Sequence, residues 1–340
     1  MTTFKEIRGT AIEVVSSDPS NPELGQIWYN SSSGTLKGYL LANVNAWSSG
    51  GALPSGWNEG AGAGTQTAAL LFGGANGPNP TGTGATASYN GSAWTVLPAT
   101  MNTPRYSNAG IGTQTAALSV TGITPFPGSV TTASESYNGT SWTNTSSVNT
   151  ARRSQYGSGI QTSGLIFGGE NNPGVKQSAS ESWNGTSWTN TPSLNTARTN
   201  LAGAGVSNTA SIAFGGQTIP NARTGATESF NGTAWTTVNP MNTARDGLFG
   251  FGSQTLAVAA GGYDAAPSYT TKTELWNGTS WTSNPTGLAN ARVDAAVAAA
   301  GTQTAGLAFG GESNTPAPGF KTFTEAWTGT QLQIKTITVS

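Results

Sequence analysis

One motif is written repeatedly through this chain, and it limits the possible folds more than any other feature. Its fullest copy spans residues 179–216, ASESWNGTSWTNTPSLNTARTNLAGAGVSNTASIAFGG. Asn-Gly dipeptides begin at Asn90, Asn138, Asn184, Asn231 and Asn277, at spacings of 48, 46, 47 and 46. Arginines recur at Arg105, Arg152, Arg198, Arg245 and Arg292, at spacings of 47, 46, 47 and 47. Glycine pairs stand at 73–74, 168–169, 215–216, 261–262 and 310–311, with Thr121-Gly122 in that place in the second unit, so there are six units. A period of this size means supersecondary units that are stacked or set in a ring.

Each unit reads as four short strands. In the third these are expected at 152–160, 163–167, 179–183 and 187–191. The Gly-Gly pair closes the second strand. The Asn-Gly dipeptide is expected to turn the third strand into the fourth as a type I′ turn, which needs φ > 0 at both central residues. The order Arg, Gly-Gly, aromatic, Trp resembles the kelch repeat over about residues 57–340, and the resemblance implies an all-β, six-bladed β-propeller. The sequence departs from that pattern in one Gly of the second unit and in the Arg of the first.

A propeller ring is usually closed by a blade built from both ends of the chain. Ala46-Trp47-Ser48-Ser49 matches Ala234-Trp235-Thr236-Thr237, a fourth strand elsewhere, while the last unit has no Trp after Thr328-Gly329. The strand around Trp47 is therefore expected to close the sixth blade, with Gln331–Val339 as the rival. The expected division is 1–43 as a β-rich N-terminal segment and 44–340 as the propeller.

Arg and Glu vary together. Five units carry both, as Arg105 with Glu135, Arg152 with Glu181, Arg198 with Glu228, Arg245 with Glu274 and Arg292 with Glu325; the first has Trp57 and Ala87 instead. Strand two lies between the two positions, and its Gly-Gly end leaves room for a guanidinium to reach a carboxylate in planar, two-point geometry. The expectation is a structural ion pair in each blade, against a ring of channel acids as the functional alternative. The recurrent aromatics are expected in the cores between blades, and the Asn-Gly-Thr/Ser triplets are expected as hairpin turns rather than glycosylation sites.

Variation points elsewhere. The segments from strand two to strand three (75–85, 123–130, 170–177, 217–224, 263–271 and 312–321) differ in every unit and emerge on one face. Loops on a rigid scaffold are where recognition usually sits. Phe126, Lys176, Arg223, Tyr263, Asp264, Tyr269, Phe320 and Lys321 are the candidate binding residues.

Composition excludes several classes of function. Charged residues make up only 9 % of the chain and the net charge is −1, so no basic surface for nucleic acid or anionic membrane is expected. There is no Cys and no His, which removes disulfides, Cys/His metal sites and the commonest general base. No cofactor and no metal are expected. A copper oxidase of the galactose-oxidase type would need His ligands, and the S-x-D-x-G-x-x-W box of propeller sialidases is absent. Of four Asp residues, Asp246 and Asp294 each follow closely on a blade Arg and form the best available carboxylate pair for a glycosidase-like site. The expected answer is nevertheless that the chain is not an enzyme.

Residues 1–43 do not fit the repeat. A strand is expected at 11–15 and a hairpin at 26–30 and 36–41. Charges at Lys5, Glu6 and Arg8 and the lack of an apolar core argue against a signal peptide, and no run reaches transmembrane length. EIRGTAIEVVSSDPSNPELGQIWYNSSSGTLKGYL, above all Gly25–Lys37, resembles the N-terminal segment of virion structural proteins of tailed bacteriophages, especially marine ones. The resemblance covers about a tenth of the chain. It implies a virion surface or tail-associated protein, assembled in the host cytoplasm and attached through 1–43 to neighbouring virion proteins. The propeller would then contact a host glycan or protein, with a homo-oligomer on the particle as a further possibility. A cytosolic kelch-type scaffold is the alternative, followed by a carbohydrate-active propeller enzyme.

Overall fold

The computed structural model describes residues 12–42, 44–76, 82–125, 128–264, 268–314 and 319–337. The chain forms two compact units, Ala46–Thr328 and the two chain ends, Met1–Asn45 with Gly329–Ser340.

The larger unit is an all-β propeller of six four-stranded antiparallel sheets. Blade 1 is built from Ala61–Thr65, Ala68–Phe72, Thr86–Tyr89 and Trp94–Leu97, and blade 2 from Ala109–Gly112, Ala117–Val120, Ser134–Tyr137 and Trp142–Asn144. Blade 3 has Tyr156–Ile160, Ser163–Phe167, Ser180–Trp183 and Trp188–Thr191; blade 4 has Ala202–Ser207, Ala210–Phe214, Thr227–Phe230 and Trp235–Val238. Blade 5 has Phe249–Gly252, Ala257–Ala260, Thr273–Trp276 and Trp281–Asn284. In blade 6, Ala296–Val297, Ala305–Phe309 and Thr324–Thr328 are joined by Ala46–Ser49, with Trp47 opposite Trp327. First strands touch in order around the axis, and that of blade 6 returns to that of blade 1.

The inner strands are rich in Gly and Ala because the blades converge there. A Cβ on Gly62 would lie 2.1 Å from the Val297 carbonyl oxygen, and one on Gly110 would lie 2.3 Å from that of Gly62. Apolar side chains collect instead between blades, in six clusters that each draw on two neighbours. Trp281 shows the pattern. It lies edge-on to Phe214 of blade 4 at 4.8 Å and donates its indole N–H to Thr227 Oγ1 at 3.1 Å. Trp47 reaches Thr273 of blade 5 in the same way at 2.9 Å, so the closing strand is pinned like the others.

The short turns on the second face add a ring of latches. Gln114 Nε2 donates to Ala69 O and Tyr89 O of blade 1, Gln161 to Ala117 O and Tyr137 O of blade 2, and Gln66 to Trp327 O of blade 6.

Two local expectations change. First, Tyr89 pairs with Trp94, so four residues and not two lie in the Asn-Gly loop. Only Gly91 is left-handed, at φ +93°, while Asn90 Oδ1 accepts the N–H groups of Ser92 and Ala93 at 3.0 and 2.9 Å. The side chain closes the turn, which removes the type I′ requirement. Second, strand one of blade 3 begins at Tyr156, because 152–155 crosses the loop face instead.

The smaller unit is a separate four-stranded sheet. Glu13–Val15 runs parallel to Ile27–Asn30, which forms a hairpin with Thr35–Ala42, and Gln331–Thr336 pairs antiparallel with Thr35–Ala42. This corrects the expected boundary at residue 340. Gln331–Thr336 is neither the closing strand nor part of the propeller, since Ala46–Ser49 already occupies that edge. Asp18 ties the sheet together by accepting from Trp28 Nε1, Asn30 Nδ2 and Lys37 Nζ at 3.1, 2.7 and 2.8 Å. Lys37 first, then Asn30, hold its carboxyl down at about 2.

No helix among the described residues is long and apolar enough to cross a membrane.

Candidate functional site

Two residues after Trp57 in blade 1, and after each of the five blade arginines, stands a residue in the left-handed region. These are Glu59, Ser107, Ser154, Asn200, Gly247 and Asp294, at φ between 50° and 60°. They join head to tail in a closed backbone ring. The N–H of Ser107 donates to Glu59 O at 2.9 Å, and each donates to the one before it, through to Asp294 N–H on Gly247 O at 2.9 Å; Glu59 N–H on Asp294 O closes the ring at 3.3 Å. All six border one axial cavity of about 340 Å³ on the loop face of the propeller. Tyr156, which also borders it, crosses from blade 3 to blade 5 and donates its hydroxyl to Gly250 O at 2.8 Å.

The side chains on the ring are unequal. Glu59 and Asp294 are neighbours on it, Ser107, Ser154 and Asn200 follow, and Gly247 offers none. Ser107 donates its hydroxyl to Glu59 Oε2. Burial pushes the Glu59 carboxyl up, against the Ser107 hydrogen bond and nearby Arg153, with Glu312 adding to the rise. Burial also pushes the Asp294 carboxyl well up, and Glu59, Asp246 and Glu312 push it the same way. Among the described residues neither acid has a salt-bridge partner, while Arg153–Glu170, Arg223–Asp246 and Lys272–Asp264 pair off at 2.7, 2.7 and 3.0 Å. The mouth of the channel thus holds two buried carboxyls, both pushed toward the neutral form, with Arg153 as a nearby cation.

The expected Asp246–Asp294 pair is not the pair that forms. Asp246 accepts from Arg223 Nε at 2.7 Å and Gln217 Nε2 at 3.1 Å. Asp294 instead neighbours Glu59, which composition alone did not single out. Glu59 was legible only by register, as the residue two after Trp57 where the other units have two after Arg.

Of the variable-loop candidates, Arg223, Tyr263 and Tyr269 come together. The Arg223 guanidinium lies over the Tyr263 ring at 5.3 Å, the two tyrosine rings are 4.9 Å apart, and Tyr269 donates to Glu312 Oε1 at 3.0 Å. Burial raises the pKa of both phenols, so they stay neutral. Asp264 holds Lys272. Lys176 and Lys321, expected as presented charges, are each only 8 % exposed. Lys176 donates to Asn221 Oδ1 at 2.6 Å, and Lys321 lies over the Phe323 ring at 5.9 Å. Their stems cover apolar or backbone surface, which leaves little of the cation for a partner. Phe320 pairs through its backbone with Glu312. Phe126 lies outside the described residues.

The five Arg–Glu pairs are fully buried and lie between the loop face and the cores. Their N–O distances are 3.1 Å for Arg105–Glu135, 3.0 Å for Arg152–Glu181, 2.9 Å for Arg198–Glu228, 3.1 Å for Arg245–Glu274 and 3.2 Å for Arg292–Glu325. Arg245 Nη1 also donates to Gly261 O and Lys272 O, at 2.9 and 2.8 Å. Glu274 accepts the N–H groups of Asn242 and Thr243, from the loop joining blade 4 to blade 5, at 2.8 and 3.3 Å. Burial lowers every one of these guanidinium pKa values, to about 10 for Arg152 and Arg292, which leaves them charged at neutral pH. With side chains 0–2 % exposed, the pairs lie inside the fold and present no surface to a ligand, although some guanidinium N–H groups, such as Arg152 Nε and Arg245 Nε, find no acceptor.

The glycine pairs have a second duty. Gly262 N–H donates to the Arg292 carbonyl of the next blade at 2.9 Å, and a Cβ there would lie 2.7 Å from Asp246 O. Blade 2 makes the same contact through Gly122, with Thr121 held at φ +57°, a strained place for a β-branched residue.

No protein-family model and no curated protein matches the chain. Among solved structures, the one described as "Structure of YjhT" superposes with a TM-score of 0.63 over 84 % of this chain and 99 % of that one, at 16 % identity. A likeness at that identity carries the fold alone. Sheet layout and structural neighbour together place this chain among the all-β propellers.

Proposed function

We propose that this protein is a non-enzymatic binding protein of a phage particle, surface or tail-associated, in which the small unit attaches and the loop face of the propeller recognises a host glycan or protein. The observation that carries the reading is the small unit. It stands outside the repeat, contains both chain ends and the phage-like phrase, and exposes Val14 and Leu24 at 66 and 64 %. Apolar side chains so exposed, Val14 on the strand Glu13–Val15 and Leu24 in the turn before Ile27–Asn30, suit burial against neighbouring proteins. Among the described residues Glu13–Val15 is moreover an edge strand with one side unpaired, a place where a further strand could add.

The recognition half of the proposal is supported by how unlike the loops are on a scaffold whose other face repeats itself. The absence of His and the commitment of ten charged residues to structural pairs favour binding over catalysis.

Full-length protein carrying Val14→Glu and Leu24→Glu is the test. It should keep its melting temperature and fail to co-purify with particles, while the parent chain co-purifies. Retained association of the variant would refute attachment through this unit. Finding the parent only as free protein in infected cells would favour the cytosolic scaffold.

A further inference from the structure

We infer that the cleft between the loops of blades 2 and 3 is a binding site for a 6-deoxyhexose, a sugar with a methyl group where common hexoses carry a hydroxymethyl. The inference rests on the recognition half of the proposal above and takes its glycan arm. On the loop face each blade adds a short tier of backbone bridges. In blade 2 the tier joins Tyr106, Ile123 and Val130, and in blade 3 it joins Arg153, Glu170 and Lys176. Side-chain hydrogen bonds fasten several neighbouring tiers to each other. Lys176 reaches Asn221 between blades 3 and 4, Arg223 reaches Asp246 between blades 4 and 5, and Tyr269 reaches Glu312 between blades 5 and 6. Among the described residues no such bond joins 123–130 to 170–177, and a cleft of about 230 Å³ lies there instead.

The cleft has two unlike walls. Blade 2 supplies the apolar one, from Tyr106, Ile123 and Val130. The Tyr106 ring rests against blade 1, where a Cβ on Gly82 would lie 3.0 Å from its Cδ1, and the Tyr106 backbone exchanges two hydrogen bonds with Ile123, at 3.0 and 2.8 Å. Blade 3 supplies the polar wall, from Arg153, Asn171 and Asn172. Asn171 Oδ1 accepts the Val175 N–H at 3.1 Å, which closes the turn that carries both asparagines. The Asn171 amide nitrogen, the Asn172 amide and the Tyr106 hydroxyl make no hydrogen bond among the described residues.

Charge and shape narrow the class. Arg153 sets both Nε and Nη2 on Glu170 Oε1, at 2.8 and 2.7 Å, so its charge is matched within the wall and an anion gains little there. A wholly apolar ligand would strip water from the asparagine amides without replacing its hydrogen bonds. A sugar ring suits both walls at once. Its C–H face can lie on the tyrosine ring, and its hydroxyls donate and accept, as the amides opposite do. The aliphatic side then favours a methyl group, because a hydroxymethyl turned toward Ile123 and Val130 loses water and finds no partner. About 230 Å³ lies below the roughly 300–1000 Å³ of pockets for drug-sized ligands, which suits a single sugar residue.

The test is a ligand-observed NMR titration of the full-length protein with two matched pairs, L-fucose against L-galactose and L-rhamnose against L-mannose. Each pair differs only in the hydroxyl on C6. In at least one pair the deoxy sugar should bind about fivefold or more tightly, the low end of the cost of burying an unpaired hydroxyl. Val130→Thr should reduce that preference by placing a hydroxyl in the aliphatic wall. Asn172→Ala should weaken both sugars of the pair by about fivefold. Asn172 is exposed, so its variant reads the cleft even if Val130→Thr does not fold, and thermal melts report folding of each. No binding of any of the four sugars at about 10 mM overturns the assignment. Binding that is equal within both pairs, or unchanged in the folded variants, also overturns it, but puts a glycan site elsewhere on the loop face and so leaves the recognition reading standing. Failure of the particle reading registers separately, as parent protein that never associates with particles.

Discussion

Blade 1 and blade 5 solve one packing problem in two ways. In blade 5, Arg245 passes beneath the strand-two glycines, meets Glu274, and donates to the Gly261 carbonyl; Glu274 in turn receives the N–H groups of Asn242 and Thr243. In blade 1 the matching positions are Trp57, Ala87, Pro54 and Ser55. The Trp57 indole N–H donates to the Gly73 carbonyl at 2.5 Å, the bond Arg245 makes to Gly261. Ala87 replaces the carboxylate inside an apolar cluster with Leu53 and Trp57. Pro54 has no N–H, so the donor that a glutamate would have satisfied is gone as well. Three substitutions therefore remove one charge, its counter-charge and a hydrogen-bond donor together. The difference teaches that the Arg–Glu pair is one complete polar unit that an apolar unit can replace, which is how a structural pin behaves and not how a ligand site behaves.

That comparison can be broken from either side. The largest effect is expected from Ala87→Glu alone, which buries a carboxylate with no arginine beside it. The expected loss is ~3–5 kcal/mol, the scale for an uncompensated buried charge. The triple variant Trp57→Arg/Ala87→Glu/Pro54→Asn restores cation and donor, and its denaturant melt should recover most of that loss. A triple variant as unstable as the single one would mean that blade 1 differs in backbone geometry and not only in side chains.

A smaller effect is expected at the turns. Gln114→Ala leaves the carbonyls of Ala69 and Tyr89 without their latch between blades 1 and 2. The loss should be about 1–3 kcal/mol. A loss of the same size at Gln66, which joins blade 1 to blade 6, would show that the meeting of the two chain ends is no weaker than the rest of the ring.

The smallest effects concern pH, and here the two units should respond with opposite signs. The Asp294 carboxyl is raised in the fold, so the native state binds a proton more tightly than the unfolded chain. Its contribution is present below the usual aspartate value of 3.8 and is lost as pH rises through the raised value. Glu59, Asp246 and Glu312 act on the same group, with Arg223 on Asp246 and Arg153 near Glu59 opposing them. Asp18 is lowered to about 2, so its contribution is present above 3.8 and is lost as pH falls from 3.8 through 2. Thermal melts of Asp294→Asn and Asp18→Asn against pH should each flatten one of these slopes and leave the other.

Much of this fold was legible because repetition prints side chains at fixed places. The Trp47 strand could be assigned from the match of Ala46-Trp47-Ser48-Ser49 to Ala234-Trp235-Thr236-Thr237, since the same cross-blade hydrogen bond selects the same residues. The backbone ring at the channel mouth was not legible. Its six positions share a left-handed φ and a hydrogen bond but no side chain, being Glu, Ser, Ser, Asn, Gly and Asp. A constraint carried by backbone leaves little trace in residue type, and for that reason Glu59 was missed as the neighbour of Asp294. The partner of Gln331–Thr336 was hidden for another reason. A pairing between chain ends occurs once, so no period announces it.

The most direct test is the double-mutant cycle on Arg245 and Glu274. If the pair is a structural pin, Arg245→Met and Glu274→Leu should each cost ~3–5 kcal/mol, and the double variant should cost much less than their sum. Blade 1 already shows such an apolar replacement within the same ring. Denaturant melts in which the two losses simply add would contradict the account and return the five glutamates to the list of candidate ligand-binding groups.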